Sequence, residues 1–201
     1  MKQALFMLAA CICLLARPAG AQLIGVYRDA SGGSCNLSVA FPGPPVDAYV
    51  VFTPGGGVSG IQGARLRIHG LPEGWSTSVS ANPSAAQADT DLFGWGAQIN
   101  FAECQAGPVV LWHITLSATS TVVDHQLRTD VHRIQPGGGM SCPAYFSCLP
   151  DTPQEPLSEA SALLNSASVC DPELLGRCPT GTDVPWLPER FPWSVVKQLY
   201  R

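Results

Sequence analysis

Lysine is almost absent from this sequence of 201 residues, in which only Lys2 and Lys197 occur. Charged residues of all kinds make up 13% of the chain, and the formal net charge is −4. A protein that binds nucleic acid or an anionic membrane surface through its charge carries a surplus of lysine and arginine. The composition therefore argues against nucleic acid as a partner.

The sequence also lacks an apolar run long enough to cross a bilayer. The run Ala4–Ala16 falls short of the ~20 apolar residues that a transmembrane helix needs, and Arg17-Pro18 end it. Lys2 precedes the run and the small residues Ala19-Gly20-Ala21 follow it, which is the pattern of a secretory signal peptide. We therefore predict a signal peptide over residues 1–21 and no transmembrane segment.

Cleavage after Ala21 places the protein outside the cytoplasm, as a secreted, periplasmic or cell-surface protein. Loss of Lys2 and Arg17 leaves 9 of the 11 basic residues against 15 acidic residues, so the net charge becomes −6. An alternative is a bacterial lipobox at Leu8-Ala9-Ala10-Cys11, with a lipidated Cys11.

Motifs of common active sites are missing as well. No G-x-S-x-G pentapeptide occurs, so the sequence shows no nucleophile elbow of a serine hydrolase. The glycine-rich stretch Pro54–Gly60 is not followed by the lysine of a phosphate-binding loop, and it leads into the alternating segment Ala64–His69 rather than a helix. We interpret it as a connection between strands and predict no catalytic residue and no cofactor.

Six cysteines remain after signal cleavage, and an even number outside the cytoplasm predicts disulfides. They are Cys35, Cys104, Cys142, Cys148, Cys170 and Cys178. Spacing favours the pairs Cys142 with Cys148 and Cys170 with Cys178, which leaves Cys35 with Cys104. The alternative is a zinc site, which the absence of a Cys-x2-Cys pair disfavours.

Apolar residues alternate from Cys35 to Ile134, and turn residues interrupt them at short intervals, which is typical of many short strands. The pattern predicts an all-β fold, an antiparallel β-sandwich of the jelly-roll or immunoglobulin-like kind. Predicted strands are Leu23–Tyr27, Cys35–Phe41, Val46–Thr53, Ala64–His69, Ser76–Ser80, Ala97–Phe101, Val109–Ala118 and His125–Ile134. Of these, Val109–Ala118 has the composition of a central strand.

The composition changes after Leu149, where prolines and acidic residues accumulate. We therefore place the sandwich domain at residues 22–149 and a Pro-rich, partly irregular C-terminal extension at residues 150–201. A short helix is predicted over Pro156–Ala167. A second short helix is predicted after Pro192, where apolar residues recur at helical spacing; this tail is either a structural element or a docking element for a surface or export partner.

Alternation places several cationic side chains on one solvent face. They are Arg65, Arg67, His69, Arg128 and His132. Such a face is either simply solvated or a contact for an anion or an acidic glycan. It is also where the competing hypothesis, an extracellular hydrolase, would have its site.

Two loop features are further candidates for binding. Trp75, Phe93 and Trp95 lie in or beside predicted loops, where exposed rings would stack on sugars and buried rings would close the core. Asp89 and Asp91 open a segment that is similar to a calcium loop, although Phe93 replaces an oxygen ligand, so calcium is a weaker candidate.

Several segments together resemble uncharacterised secreted proteins of environmental bacteria. They are Gly25–Asp29 with Cys35, Gly60–Ala64, Gly70–Trp75, Leu127-Arg128, Cys142-Pro143 and the ending Trp193-x-x-Val196-Lys197-x-Leu199-Tyr200-Arg201. A more distant resemblance is to cohesin-type sandwich modules. It rests on the Gly60-x-x-Gly63 turn and on two later segments, Ile99–Phe101 and Val110–Ile114. The first resemblance implies an exported protein, and both imply a β-sandwich. We expect a non-catalytic binding or structural module whose partner is a glycan or a protein.

Overall fold

The computed structural model describes residues 23–55, 58, 60–130, 143–148, 155–156, 158–159 and 161–167. Every regular element in these residues is a β-strand, and the strands form two sheets. Apolar side chains from both sheets meet in one buried core. The chain is thus an all-β sandwich, which confirms the predicted fold class.

The first sheet is made of strands from both ends of the described chain. Its strands are β1 (Leu23–Tyr27), β3 (Val46–Thr53), β5 (Ser76–Ala81), β8 (Val109–Ser117) and β12 (Ser158–Glu159). They lie in the order β12-β1-β3-β8-β5, and all neighbours are antiparallel except β12 and β1. Strand β8 has a neighbour on each side, which confirms its predicted central position.

The second sheet is larger and is organised around one long strand. Its strands are β2 (Asn36–Leu37), β4 (Gly60–His69), β6 (Ala85–Ala88), β7 (Ala97–Ala106), β9 (His125–Asp130), β10 (Ala144–Ser147), β11 (Glu155–Pro156) and β13 (Ser161–Leu164). Strand β4 pairs with β7, β10 and β9. A strand rather than a helix therefore follows the glycine-rich stretch, as predicted.

Period-two alternation determines which side chains fill the core. Alternation along Ala64–His69 predicts Ala64, Leu66 and Ile68 on the core face. All three are buried and pack in the same cluster as Phe52 and Trp112 of the first sheet. The buried Trp112 indole Nε1 donates a hydrogen bond to the Asp89 carbonyl at 2.8 Å. The largest core side chain thus has its single polar atom satisfied.

A β-bulge changes one face assignment. Alternation predicts Val110 on the core face with Trp112, but the register with β3 shifts between Val50 and Val51. Such a shift sends the following side chain to the opposite face. Leu111 is accordingly buried in the core, while Val110 packs on a small outer cluster.

The predicted helix over Pro156–Ala167 is wrong where the structure describes this segment. Strands β11, β12 and β13 occupy it instead, and β13 pairs with β9 and with β2. Leu164 packs in the main core. Pairing partners distant in sequence outweigh the local helical preference. The boundary after residue 149 remains a prediction, and the C-terminal tail lies outside the described residues.

The predicted cysteine pairing is wrong for two of its three pairs. Cys104 is bonded to Cys148, across a sequence separation of 44 residues. Cys35 is also disulfide-bonded, and its partner lies outside the described residues. Spacing along the sequence does not show which cysteines meet, because β7 and β10 both pair with β4 and so bring Cys104 near Cys148. Extra residues in β7 opposite Ile61–Gly63 form a bulge just before Cys104. Cys142, Cys170 and Cys178 lie outside the described residues.

Candidate binding surface

The outer side of β4 carries the cationic residues that the sequence places together. We call the side chains of Arg65, Arg67, His69 and Arg128 the arginine face. Because Leu66 and Ile68 point into the core, the alternate residues of β4 point outward. Arg128 of β9 lies directly opposite His69, and directly opposite residues share a face. The predicted grouping is thus present for these four residues, while His132 lies outside the described residues.

Arg65 is held in place by neutral groups. Its Nε donates to Oε1 of Gln98 at 2.8 Å, and Gln98 lies opposite it on β7. Its guanidinium carbon lies 5.5 Å from the centre of the Phe146 ring, a cation–π contact. Neither partner carries a negative charge, so Arg65 is oriented by its contacts but its charge is not neutralised by them.

Arg67 differs because it faces a carboxylate. It lies opposite Asp130 of β9, and its Nε donates to Asp130 Oδ2 at 3.0 Å while its Nη2 contacts the same oxygen. Both side chains are largely covered, with 15% and 26% of their surfaces exposed. This ion pair joins β4 to β9. Because Asp130 neutralises its charge, Arg67 has a structural role in the face and is a weaker candidate for binding an anion.

A loop with an exposed tryptophan borders the arginine face. Residues 91–96 lie beside the end of β4, where Ile68 N donates to the Leu92 carbonyl at 2.7 Å. Leu92 is buried, whereas Trp95 is 60% exposed. Of the two alternatives that the sequence leaves open for this ring, exposure therefore applies to Trp95.

The two other aromatic candidates have different surroundings. Trp75 is only 6% exposed, and its Nε1 donates to Ser120 Oγ at 3.2 Å. The exposure considered for Trp75 is therefore wrong, because its ring closes one end of the core. Phe93 is half-buried and packs against the same core. Of the three aromatic residues, only Trp95 has an exposed side chain.

The candidate calcium ligands take part in the fold of the same loop. The Asp91 carboxylate accepts a hydrogen bond from Trp95 N at 3.0 Å, and the Asp91 carbonyl accepts one from Gly96 N at 3.0 Å. Asp89 contributes its carbonyl to Trp112. Among the described residues, no three histidine, cysteine, aspartate or glutamate side chains are placed to hold a metal ion. Calcium at Asp89 and Asp91 stays a prediction.

The described histidines do not share one site. His69 belongs to the arginine face, whereas His113 lies in the first sheet, where its Nε2 is 2.9 Å from Asp47 Oδ1 and its ring stacks on Tyr49. His125 contacts the Gly70 carbonyl through Nε2. The hydrolase hypothesis needs a histidine and its carboxylate to converge beside a nucleophile, and the contact of His113 with Asp47 lies away from the arginine face.

Sequence reasoning missed the residues that hold Arg65. Gln98 could have been paired with Arg65 only once the register of β7 was known. Phe146 lies on β10, which was not predicted. A signal for β10 exists, because the short aromatic run Ala144–Phe146 follows Pro143 and precedes a cysteine.

No protein-family model and no curated protein matches the sequence. Among solved structures, it is similar to a cohesin module from a family 33 glycoside hydrolase of Clostridium perfringens. The identity is 12%, the match covers 74% of this chain and 98% of that chain, and the TM-score is 0.44.

Proposed function

We propose that this protein is an exported, non-catalytic binding module that holds an acidic glycan on its arginine face. The observation that carries the proposal is the state of Arg65, whose guanidinium is oriented by Gln98 and Phe146 without meeting a carboxylate in either contact. A guanidinium that is held by neutral partners among the described residues is suited to a carboxylate or sulfate group of a ligand.

The rest of the face fits a glycan. His69 and Arg128 extend the cationic row along β4 and β9. Exposed Trp95 in the bordering loop offers a ring on which a sugar can stack. The whole chain is acidic, with a net charge of −4, so a cationic patch on it favours an anionic ligand locally.

Export is part of the proposal. It is supported by the N-terminal sequence pattern and by the Cys104–Cys148 disulfide, a kind of bond that persists mainly in oxidising compartments. The alternative function for this face is an extracellular hydrolase. No specific observation among the described residues favours it.

The test compares binding of the full chain to polygalacturonate and to a neutral polysaccharide of similar length, by titration calorimetry. We expect binding to the acidic polymer that weakens as salt is added, because exposed charges are screened. Arg65→Gln should weaken it by about tenfold, the loss expected for one charged hydrogen bond. Arg28→Gln removes the same charge from an exposed loop elsewhere and should leave affinity unchanged.

Trp95→Ala separates stacking from charge. If the ring contacts the sugar, this variant should bind more weakly at every salt concentration. Equal binding of the acidic and neutral polymers, or equal losses for Arg65→Gln and Arg28→Gln, would contradict the proposal. A folded wild-type chain that binds no acidic glycan on an array would point to a protein partner instead.

A further inference from the structure

Strand β5 forms an edge of the first sheet. It pairs with β8 without a shift in register from Ser76 to Ala81, and no other described strand lies beside it. An edge strand presents unpaired backbone N–H and C=O groups to solvent.

The hydrogen bond that follows β5 identifies the open groups. Asn82 N donates to the Leu111 carbonyl at 2.9 Å, so the backbone of residue 82 points toward β8. Because backbone groups alternate in direction along a strand, Ser80 and Ser78 also point toward β8. Thr77, Val79 and Ala81 consequently direct their N–H and C=O groups to the open side.

Within its own residues, β5 has none of the usual protections of an edge strand. Natural proteins guard edge strands with lysine, proline, bulges or inward charges. β5 reads Ser-Thr-Ser-Val-Ser-Ala, with no charged residue, no proline and no bulge. Its geometry is also fixed at the end, where Asn82 Nδ2 donates to the Val110 carbonyl and Asn82 Oδ1 accepts from Ser84 N. The open groups are thus held in an extended, regular array.

We propose that β5 pairs antiparallel with β5 of a second copy of this chain, about a two-fold axis at Val79. In that register Val79 faces Val79, and Thr77 faces Ala81, of the second copy. Each facing pair exchanges two backbone hydrogen bonds. The two first sheets then form one continuous sheet, which is the isologous contact typical of a dimer.

The side chains of β5 favour a second copy as the occupant. Val79 and Ala81 are half-buried against the core, so pairing covers the remainder of an apolar row. On the other face, exposed Ser78 meets Ser80 of the second copy, and hydroxyl pairs across strands stabilise a sheet. Each copy has a net charge of −4, and pairing at an uncharged strand brings no like charges opposite one another. The paired surface is small, so we expect a weak dimer.

The test is sedimentation velocity of the full chain over a concentration series from the micromolar to the millimolar range. Wild type should show a weight-average sedimentation coefficient that rises toward a dimer. Val79→Pro should stay monomeric, because proline removes an N–H on the open side while the pairs of β5 with β8 remain. Ser78→Ala keeps every backbone group and loses only one hydroxyl of the Ser78–Ser80 contact, so it should still associate, more weakly than wild type but far more strongly than Val79→Pro.

A wild-type chain that is monomeric at the highest concentration would overturn the proposal. Pairing of β5 with a strand of another protein would then be the alternative. Association of Val79→Pro equal to that of wild type would overturn the proposal as well. Amide hydrogen exchange of wild type gives a test that does not depend on folding of the variant. Protection at Thr77, Val79 and Ala81 should rise with concentration, whereas that at Ser78 and Ser80 should not change; unchanged protection at the first three would also overturn the proposal.

Discussion

Asn165 uses its side-chain amide to pair with both backbone groups of Val39. Its Oδ1 accepts a hydrogen bond from Val39 N at 2.7 Å, and its Nδ2 donates to the Val39 carbonyl at 2.8 Å. Nδ2 also donates to the Val122 carbonyl at 3.0 Å. A single side chain after β13 thus ties the segment that follows β2 to the loop that precedes β9.

Replacing Asn165 by alanine should lower the free energy of unfolding by about 1–3 kcal/mol, because the backbone groups of buried Val39 lose their partner. Urea denaturation of the variant measures this loss. Residue 165 has a φ of 52°, a conformation that asparagine tolerates better than most residues and glycine adopts freely.

Asn165→Gly separates the two contributions of this residue. It accepts the positive φ but lacks the amide, so we expect it to be destabilised as well. If Asn165→Gly were as stable as wild type while Asn165→Ala was not, the backbone conformation of residue 165 would account for the loss, and not the hydrogen bonds of the Asn165 amide.

The disulfide between Cys104 and Cys148 should be the dominant covalent contribution among the described residues. Non-reducing peptide mapping should find these two cysteines in one linked peptide. At a sequence separation of 44 residues, the chain-entropy model predicts a loss of about 4 kcal/mol when the bond is removed. Urea denaturation of Cys104→Ser with Cys148→Ser tests this value. A linked peptide joining Cys35 to Cys104 would contradict the structure.

The strands could be predicted from the sequence because local alternation determines them. The predicted bounds of Leu23–Tyr27 and Val46–Thr53 agree with β1 and β3. Strand order and bulges depend on contacts that are distant in sequence, and these decide which cysteines meet. The strands after residue 149 have two to four residues each, too few for alternation to be visible. The sequence therefore predicts a helix where Ser161–Leu164 forms a strand.

The candidate site divides in the same way. The row of Arg65, Arg67 and His69 follows from period two along one strand. That Arg67 meets Asp130 while Arg65 meets only neutral partners depends on the register of three strands. Exposure of loop aromatics could not be predicted either, since Trp75 and Trp95 have similar sequence surroundings but opposite burial.

Gly60, the last residue of the glycine-rich stretch, allows β4 and β7 to approach closely, which explains why this position is a glycine. A Cβ on residue 60 would collide with the Gln105 carbonyl and lie 2.9 Å from Cys104 Sγ. Gly60→Ala should therefore destabilise the fold by about 1–3 kcal/mol, the usual result of overpacking. Gly33→Ala is a matched control, because its added Cβ would meet Ser31 Oγ at an ordinary 3.4 Å. Equal melting temperatures for the two variants would contradict this explanation.

Tyr27 should make stability fall in alkaline solution. Burial raises the pKa of its phenol from 10.0 to about 12, against the lowering effect of a hydrogen bond with Thr53. Between these values the folded state keeps a proton that the unfolded state releases, so the free energy of unfolding falls as pH rises. Denaturation at several alkaline pH values should show this slope in wild type and a shallower one in Tyr27→Phe. The same slope in both would exclude Tyr27 as its source.

Asp29 organises the loop that covers Tyr27, through hydrogen bonds with four donors. Its carboxylate accepts from the Ser31 hydroxyl, from Ser31 N and Gly33 N at 3.0 Å each, and from Ser34 N at 2.9 Å. The Ser31 hydroxyl and then the Gly33 amide are the main causes that hold the pKa of Asp29 below its ordinary value of 3.8. Within this loop Gly32 approaches Tyr27 and Val51.

Because the folded state holds this carboxylate ionised where the unfolded chain is already protonated, its contribution to stability is present above pH 3.8 and is lost as pH falls through the folded pKa. The amide resonances of Gly33 and Ser34 should titrate with a midpoint below 3.8, measured by NMR. Asp29→Asn should remove that titration and make Tyr27 more accessible to solvent at neutral pH. A midpoint at or above the ordinary value would show that the hydrogen bonds of this loop do not favour the ionised carboxylate.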